Sequence, residues 1–215
     1  MAENIKSQAG QDYVLTGSFL YKIAYAVVYP LFSLLYGVKI SGRGNLPKSG
    51  AIICSNHTDN IDPIFAALAT GPSMPLNFMA KTELFKHKLI GAFLRGLGAF
   101  PVNRRERDVG AIKRGIEILK RGGRLLMFPE GTRVKNHEID GEVKAGISLL
   151  AMKSGCPLVP VYITGNKKMF RKKTLIIIGE PITADASAPD GPADYKELAS
   201  RVFAEILKLG GTDHD

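Results

Sequence analysis

Short apolar runs of strand length alternate along this chain with segments of helix length, and glycine or proline separates most neighbours. Strands are predicted at residues 38–41, 51–56, 76–80, 99–103, 124–128, 158–164 and 174–179. Helices are predicted at 64–69, 84–97, 109–120, 145–153 and 193–209. The second of these sets its apolar face at Leu89, Ile90, Phe93, Leu94 and Leu97, and the last has Lys208 near its end and Gly210 as its stop. Strands joined through helices build a parallel or mixed sheet covered on its faces. The expected fold class is therefore α/β: one domain, with a mixed, mainly parallel sheet flanked by helices. At 215 residues the chain is long enough to bury most of its apolar surface.

An apolar segment precedes this pattern. Residues 1–17 are polar and expected to be loose. Residues 19–36 carry one charge, Lys22, and one proline, Pro30, which is expected to kink or divide a helix there. As a helix the segment would be about 27 Å long, just short of a hydrocarbon core of about 30 Å. Tyr21, Tyr25, Tyr29, Phe32 and Tyr36 fall on one side of it. An apolar ring with a polar tip suits a membrane interface. No small-residue cleavage site follows, so a cleaved secretion signal is not expected. The segment is read as membrane-associated, lying in the interface in preference to spanning, with a core helix as the alternative. The expected division is a tail and membrane-associated segment at 1–37 and the α/β domain at 38–215.

A net charge of +9 calls for an anionic partner, either a phospholipid surface, a phosphorylated substrate or nucleic acid. Nucleic acid is the weakest of these, because no known module for it is present and the aromatics cluster in the N-terminal segment. The basic run at 166–173 reads either as a solvated loop or as a contact with anionic lipid or an acidic carrier protein. Cys54 and Cys156 both lie in apolar contexts and read as reduced, buried thiols.

The chemistry gathers at strand ends, where open α/β sheets collect ligands. His57 sits where the strand 51–56 stops, and Asp62 where the next helix begins, placed to cap it with Pro63 behind. A turn between them can fold the carboxylate onto the imidazole, which is what a general base requires. Arg104 follows the strand 99–103. Phe128-Pro129-Glu130-Gly131-Thr132-Arg133 follows another strand. An arginine fork, a flexible Gly131 and the Thr132 hydroxyl suit a phosphate. Glu130 would repel that anion unless it fixes Arg133 or Arg104, or accepts a bond from a substrate hydroxyl. His87 and His137 lack a compact ligand spacing with the other site residues, so no metal is expected.

These blocks resemble, in order, the motifs of the glycerolipid acyltransferases. Asn56-His57 through Asp62 matches the first, Phe100-Pro101-Val102-Asn103-Arg104 the second, Phe128 to Arg133 the third and Val159-Pro160-Val161 the fourth. The resemblance covers roughly 38–182 and is greatest to bacterial enzymes acting on 1-acyl-glycerol-3-phosphate. It implies His57 as base, Asp62 as its orienting acid, and Arg104, Glu130, Gly131, Thr132 and Arg133 as acceptor-binding residues. Lys144, in Val143-Lys144-Ala145-Gly146, matches a further basic position. Asp59 stands where the family often has serine, and Val134 where serine is common. The implied reaction moves a fatty acyl group from acyl-CoA or acyl carrier protein to the sn-2 hydroxyl of lysophosphatidic acid, with no cofactor. The expected setting is the cytoplasmic face of the cell membrane. The rivals are another lysolipid acceptor, or a non-catalytic protein that binds anionic lipid.

Overall fold

A computed structural model describes residues 19–103, 108–131, 146–164, 167–170, 173–184 and 192–211. Its core is a seven-stranded sheet in the order β1-β7-β6-β2-β5-β3-β4. The strands are β1 (Lys39–Ser41), β2 (Ala51–Ser55), β3 (Leu76–Lys81), β4 (Ala99–Val102), β5 (Arg124–Met127), β6 (Leu158–Ile163) and β7 (Leu175–Ile178). Neighbours are parallel except β6 and β7, so β2 to β6 all end at one edge. The helices are α1 (Phe19–Tyr36), α2 (Asp62–Thr70), α3 (Lys88–Gly96), α4 (Val109–Lys120), α5 (Gly146–Ser154) and α6 (Pro192–Gly211). The sheet is mixed and mainly parallel with helices on both faces, as the alternation predicts.

β2 is the central strand because every residue of it can be buried. Ile52 and Cys54 face the layer of α4, α5 and α6, packing with Ile118, Leu150 and Phe203. Ala51 and Ile53 face the other layer, with Phe65 and Leu68 of α2. Ile52 and Ile53 are wholly buried, and each such side chain contributes about 1.5–3 kcal/mol. A strand apolar on both faces can only sit inside, which fixes the carboxyl end of β2 at the middle of the edge.

Three expectations are corrected. The tyrosine stripe of α1 faces the domain: Phe32 and Tyr36 pack edge-on against Phe65, at 5.3 and 5.4 Å between ring centroids. Its polar tips find backbone there, with Tyr25 Oη donating to the Leu68 carbonyl at 3.1 Å. The outward face of α1 is aliphatic instead, with Val27, Leu31 and Leu34 exposed, and the helix continues through Pro30. The helix expected over 84–97 is a 3-10 turn, Thr82–Phe85, followed by α3. Its apolar stripe points outward: Leu89 is 87% exposed, with Ile90 and Phe93 also exposed, while Gly91 is the buried residue. Gly91 packs against Phe85, whose carbonyl oxygen would lie 3.1 Å from a Cβ there. Gly210 does not stop the last helix. α6 runs to Gly211, and a Cβ at Gly210 would collide with the Tyr162 ring, so close packing explains this glycine.

Candidate active site

From β2 the chain passes through α2 to β3 on one side, and later crosses from β5 to β6 on the other. A crevice is expected at such a switch point, outside the carboxyl end of the strand. His57 stands there, two residues beyond the end of β2. The Asn56 side chain extends the sheet by one step: its amide donates to the Ile163 carbonyl and its oxygen accepts from Ile163 N–H, both at 2.8 Å. That double bond fixes where the turn departs.

Asp62 organises the turn itself. Its Oδ2 lies 3.1 Å from His57 Nδ1 and accepts from the N–H groups of Thr58 and Asp59, each at 2.7 Å. An ionised carboxylate only accepts, so the proton of a neutral imidazole belongs on Nδ1 and Nε2 carries the lone pair. No described residue bonds Nε2, and the His57 side chain is 15% exposed. Asp59 is turned away, its Oδ1 accepting from Ile61 N–H at 3.3 Å. Capping of α2 by the Asp62 side chain is not seen: the N–H groups of Ile64 and Phe65 bond the Ile61 carbonyl instead. Oδ2 of the carboxylate is taken up by the turn and by His57.

Two neighbours hold the histidine. β5 adjoins β2 in a register pairing Cys54 with Met127, which brings the residues after Met127 alongside the turn. Phe128 stacks on the imidazole at 4.0 Å between centroids and 15° between planes. Glu130 Oε2 accepts from the His57 backbone N–H at 2.9 Å. The bend that returns Glu130 is closed by Gly131 N–H on the Phe128 carbonyl, with Gly131 at a φ of 68° that favours glycine. The third contact comes from the loop after β6. Lys167 Nζ lies 2.6 Å from Asp62 Oδ1, and both side chains are 0% exposed. Within the basic run, Lys167 is therefore neither a solvated residue nor a surface contact.

The two acids titrate in opposite directions. Burial pushes Asp62 up, but the bond to His57 and the charge of Lys167 outweigh it, leaving Asp62 below the usual range. Burial pushes Glu130 up to about 7, opposed by the His57 backbone bond and assisted by the negative Asp62. Burial likewise raises the Cys54 thiol. Separated acids of this kind mark sites of proton transfer.

Of the residues expected from sequence, His57, Asp62, Glu130 and Gly131 come together at this edge. Arg104, Thr132, Arg133 and Lys144 lie outside the described residues, as does His137. β4 and β5, which precede Arg104 and Arg133, both end at the His57 edge, but β4 is three strands from β2, about 14 Å at ordinary spacing. Sequence reading missed Phe128 as a stacking partner and Lys167 as a partner of Asp62. The place of Lys167, just past a strand end, was the available signal.

The fold and site define an α/β protein with a hydrogen-bonded histidine–aspartate pair at the carboxyl edge of its sheet. A family model described as Acyltransferase matches residues 37–164. The chain belongs to the acyltransferase family. A 1-acyl-sn-glycerol-3-phosphate acyltransferase of Bacillus subtilis is 37% identical over 187 residues, covering 85% of this chain and 88% of that protein. A protein of the same description from Streptococcus pneumoniae is 32% identical over 163 residues, covering 74% of this chain and 60% of that protein. The crystal structure of the 1-acyl-sn-glycerophosphate acyltransferase of Thermotoga maritima shares the fold, with a TM-score of 0.69 at 23% identity, over 99% of this chain and 88% of that one.

Proposed function

We propose that this enzyme transfers a fatty acyl group from a thioester to the sn-2 hydroxyl of 1-acyl-glycerol-3-phosphate, forming phosphatidic acid for phospholipid synthesis. The observation that carries the reading is the His57–Asp62 pair, with Nδ1 on the carboxylate and Nε2 bonded by no described residue. His57 Nε2 takes the hydroxyl proton as the oxygen attacks the thioester carbonyl. The tetrahedral intermediate collapses, the C–S bond breaks, and the imidazolium returns its proton to the leaving thiolate. Such a base contributes about 10²–10⁴ in rate, and positioning supplies much of the remainder. The nucleophile is the substrate's own oxygen, so the buried Cys54 needs no part in it.

The acceptor is assigned from the descriptions of the relatives and from the arginines that follow two strands ending at this edge. Arg133 and Arg104 bind its phosphate, with Thr132, Gly131, Glu130 and Lys144 completing the acceptor site. Arg133→Ala should raise the acceptor KM more than Arg104→Ala, because β5 adjoins β2 whereas β4 is three strands away. Lysine at either position should rescue only partly, since an ammonium cannot make the bidentate fork. Loss of affinity for the thioester alone would reassign both.

The substrates are lipids, and the surface has a place for them. α1 is long and apolar enough to cross a membrane, yet its tyrosine side is occupied by the domain. Its aliphatic side, the stripe of α3, and Met169 with Phe170 are exposed. They adjoin, because Leu20 lies against Gly96 at the end of α3 and Phe170 N–H donates to the Leu35 carbonyl. These elements lie in the membrane interface on the cytoplasmic face, with lysines and arginines on anionic headgroups. The deciding assay follows phosphatidic acid made by purified protein from a panel of lysolipids, with acyl-CoA and acyl carrier protein donors side by side. Failure with every pairing would overturn the function.

A further inference from the structure

A fully buried lysine is an uncommon component of a surface loop. Lys167 reaches inward from the loop after β6, its Nζ 2.6 Å from Asp62 Oδ1 and donating to Thr58 Oγ1 at 2.8 Å. The same loop is tied at Phe170, whose N–H donates to the Leu35 carbonyl of α1 at 2.7 Å. The carboxylate of Asp62 is thus divided between two tasks. Oδ2 holds His57 and the backbone of the turn, and Oδ1 meets the ammonium. A buried ion pair is weak evidence of stabilisation, because apolar residues of similar volume often serve as well. Apolar residues could not hold an acceptor against His57 Nδ1.

We infer that Lys167 is a positioning residue for acyl transfer: by holding Oδ1 it fixes the Asp62 carboxylate so that Oδ2 accepts from His57 Nδ1–H and Nε2 is left to take the substrate proton. This rests on the reading of His57 as general base. Among the described residues, the titratable groups around Asp62 are His57 and Asp59 of its own turn, Glu130 from the loop after β5 and Lys167 from the loop after β6. With two further carboxyl groups nearby, Lys167 brings the opposing charge. Without it, proton binding to Asp62 and protonation of His57 would both become easier. Each change removes the working base as pH falls.

The test uses the full chain with 1-acyl-glycerol-3-phosphate and a long-chain acyl thioester, comparing Lys167→Met, Lys167→Arg and the double variant Asp62→Asn with Lys167→Met. In Lys167→Met the acid limb of kcat should move up by about one pH unit or more, as expected for a lost opposite charge at this range. At a fixed pH on that limb the rate should fall about tenfold or more, with the acceptor KM changing far less. Lys167→Arg should restore the pH profile. In the Asp62→Asn background the loss of Lys167 should cost nothing further, because Lys167 acts only through that carboxylate. The double variant leaves neither charge unpaired, so it carries the test if Lys167→Met does not fold. An unchanged kcat and pH profile in folded Lys167→Met, or a further loss of rate or acceptor affinity in the double variant, would overturn the assignment. Absence of acyl transfer by the unmodified protein would instead overturn the proposed function.

Discussion

The His57 turn and the surface made by α1 and α3 depart from ordinary partition in opposite senses. The turn buries ionisable groups: Asp62, Lys167 and Glu130 are all withdrawn from solvent. The surface leaves hydrocarbon in water: Leu34 is 72% exposed, and Val27, Leu89 and Phe93 are exposed with it. In the turn Asp62 and Lys167 pair with each other and Glu130 accepts from the His57 N–H, so these groups find their partners within the chain. On the surface the apolar side chains meet no described residue that covers them. Contiguous exposed apolar area of this kind marks a binding face, and here a bilayer is the proposed occupant. One region is satisfied from inside and the other from outside, and that difference can be tested.

The largest expected effect removes the base. His57→Ala should lower acyl transfer by about 10²–10⁴, measured as phosphatidic acid formed by the folded variant. Full activity in a folded His57→Ala protein would sink the mechanism. Next comes the partner. Asp62→Asn should impair catalysis and also destabilise the fold by about 3–5 kcal/mol, because it strands Lys167 as a buried, unpaired cation. That cost, read by denaturant unfolding, separates the observed role of Asp62 from helix capping, which would cost only about 1 kcal/mol.

The two acids make the comparison sharper still. Asp62 lies below its ordinary value in the fold, so its contribution to stability is present above the unfolded pKa of about 3.9 and is lost as pH falls through the lower, folded value. Glu130 runs the other way. Its folded value of about 7 lies above the ordinary 4.5, so its relative contribution is complete below 4.5 and is lost as pH rises through 7. Glu130→Gln keeps an oxygen acceptor for His57 N–H without the charge. It should remove a stability loss of the order of 3 kcal/mol between those limits, seen as a flatter dependence of unfolding free energy on pH. An unchanged slope would show that Glu130 titrates in the fold as it does in water.

The smallest effect concerns the surface. Deleting α1 would confuse anchoring with folding, since its aromatics pack on Phe65 and its last carbonyls hold Phe170 and Thr174. Leu34→Lys and Leu89→Lys are cleaner. Each should weaken binding to anionic vesicles by up to about 1.5–3 kcal/mol in salt-resistant affinity, the worth of one buried leucine. Activity on a short-chain soluble acceptor should be unchanged. High salt should loosen the unmodified protein only in part, because it screens the charges and not the burial. Undiminished vesicle binding by both variants in high salt would place the anchor elsewhere.

How much of this was legible depended on how local the cause was. The strand and helix pattern was readable because β2 carries four apolar residues in succession before Ser55, and α4 repeats its apolar positions at helical spacing. His57 and Asp62 were readable because the turn joining them is short, so chain geometry alone could bring them together. The Tyr25 to Tyr36 stripe was also correctly seen as one face of one helix. Periodicity identifies residues that share a face and is silent about what the face meets. That is why the stripe of α1, read as suited to a membrane interface, turns inward onto Phe65, and why the stripe of α3 carried no sign that it points out to solvent.

The sequence by itself determined the secondary elements, the α/β class and the histidine–aspartate pair, since each rests on residues near in the chain or on a repeating pattern. The tertiary structure alone decided the strand order that sets β5 and β6 on either side of β2. From that order follow Phe128 and Glu130 against His57, and Lys167 against Asp62. Contacts between residues so far apart depend on which strands become neighbours, and packing of the whole core settles that choice.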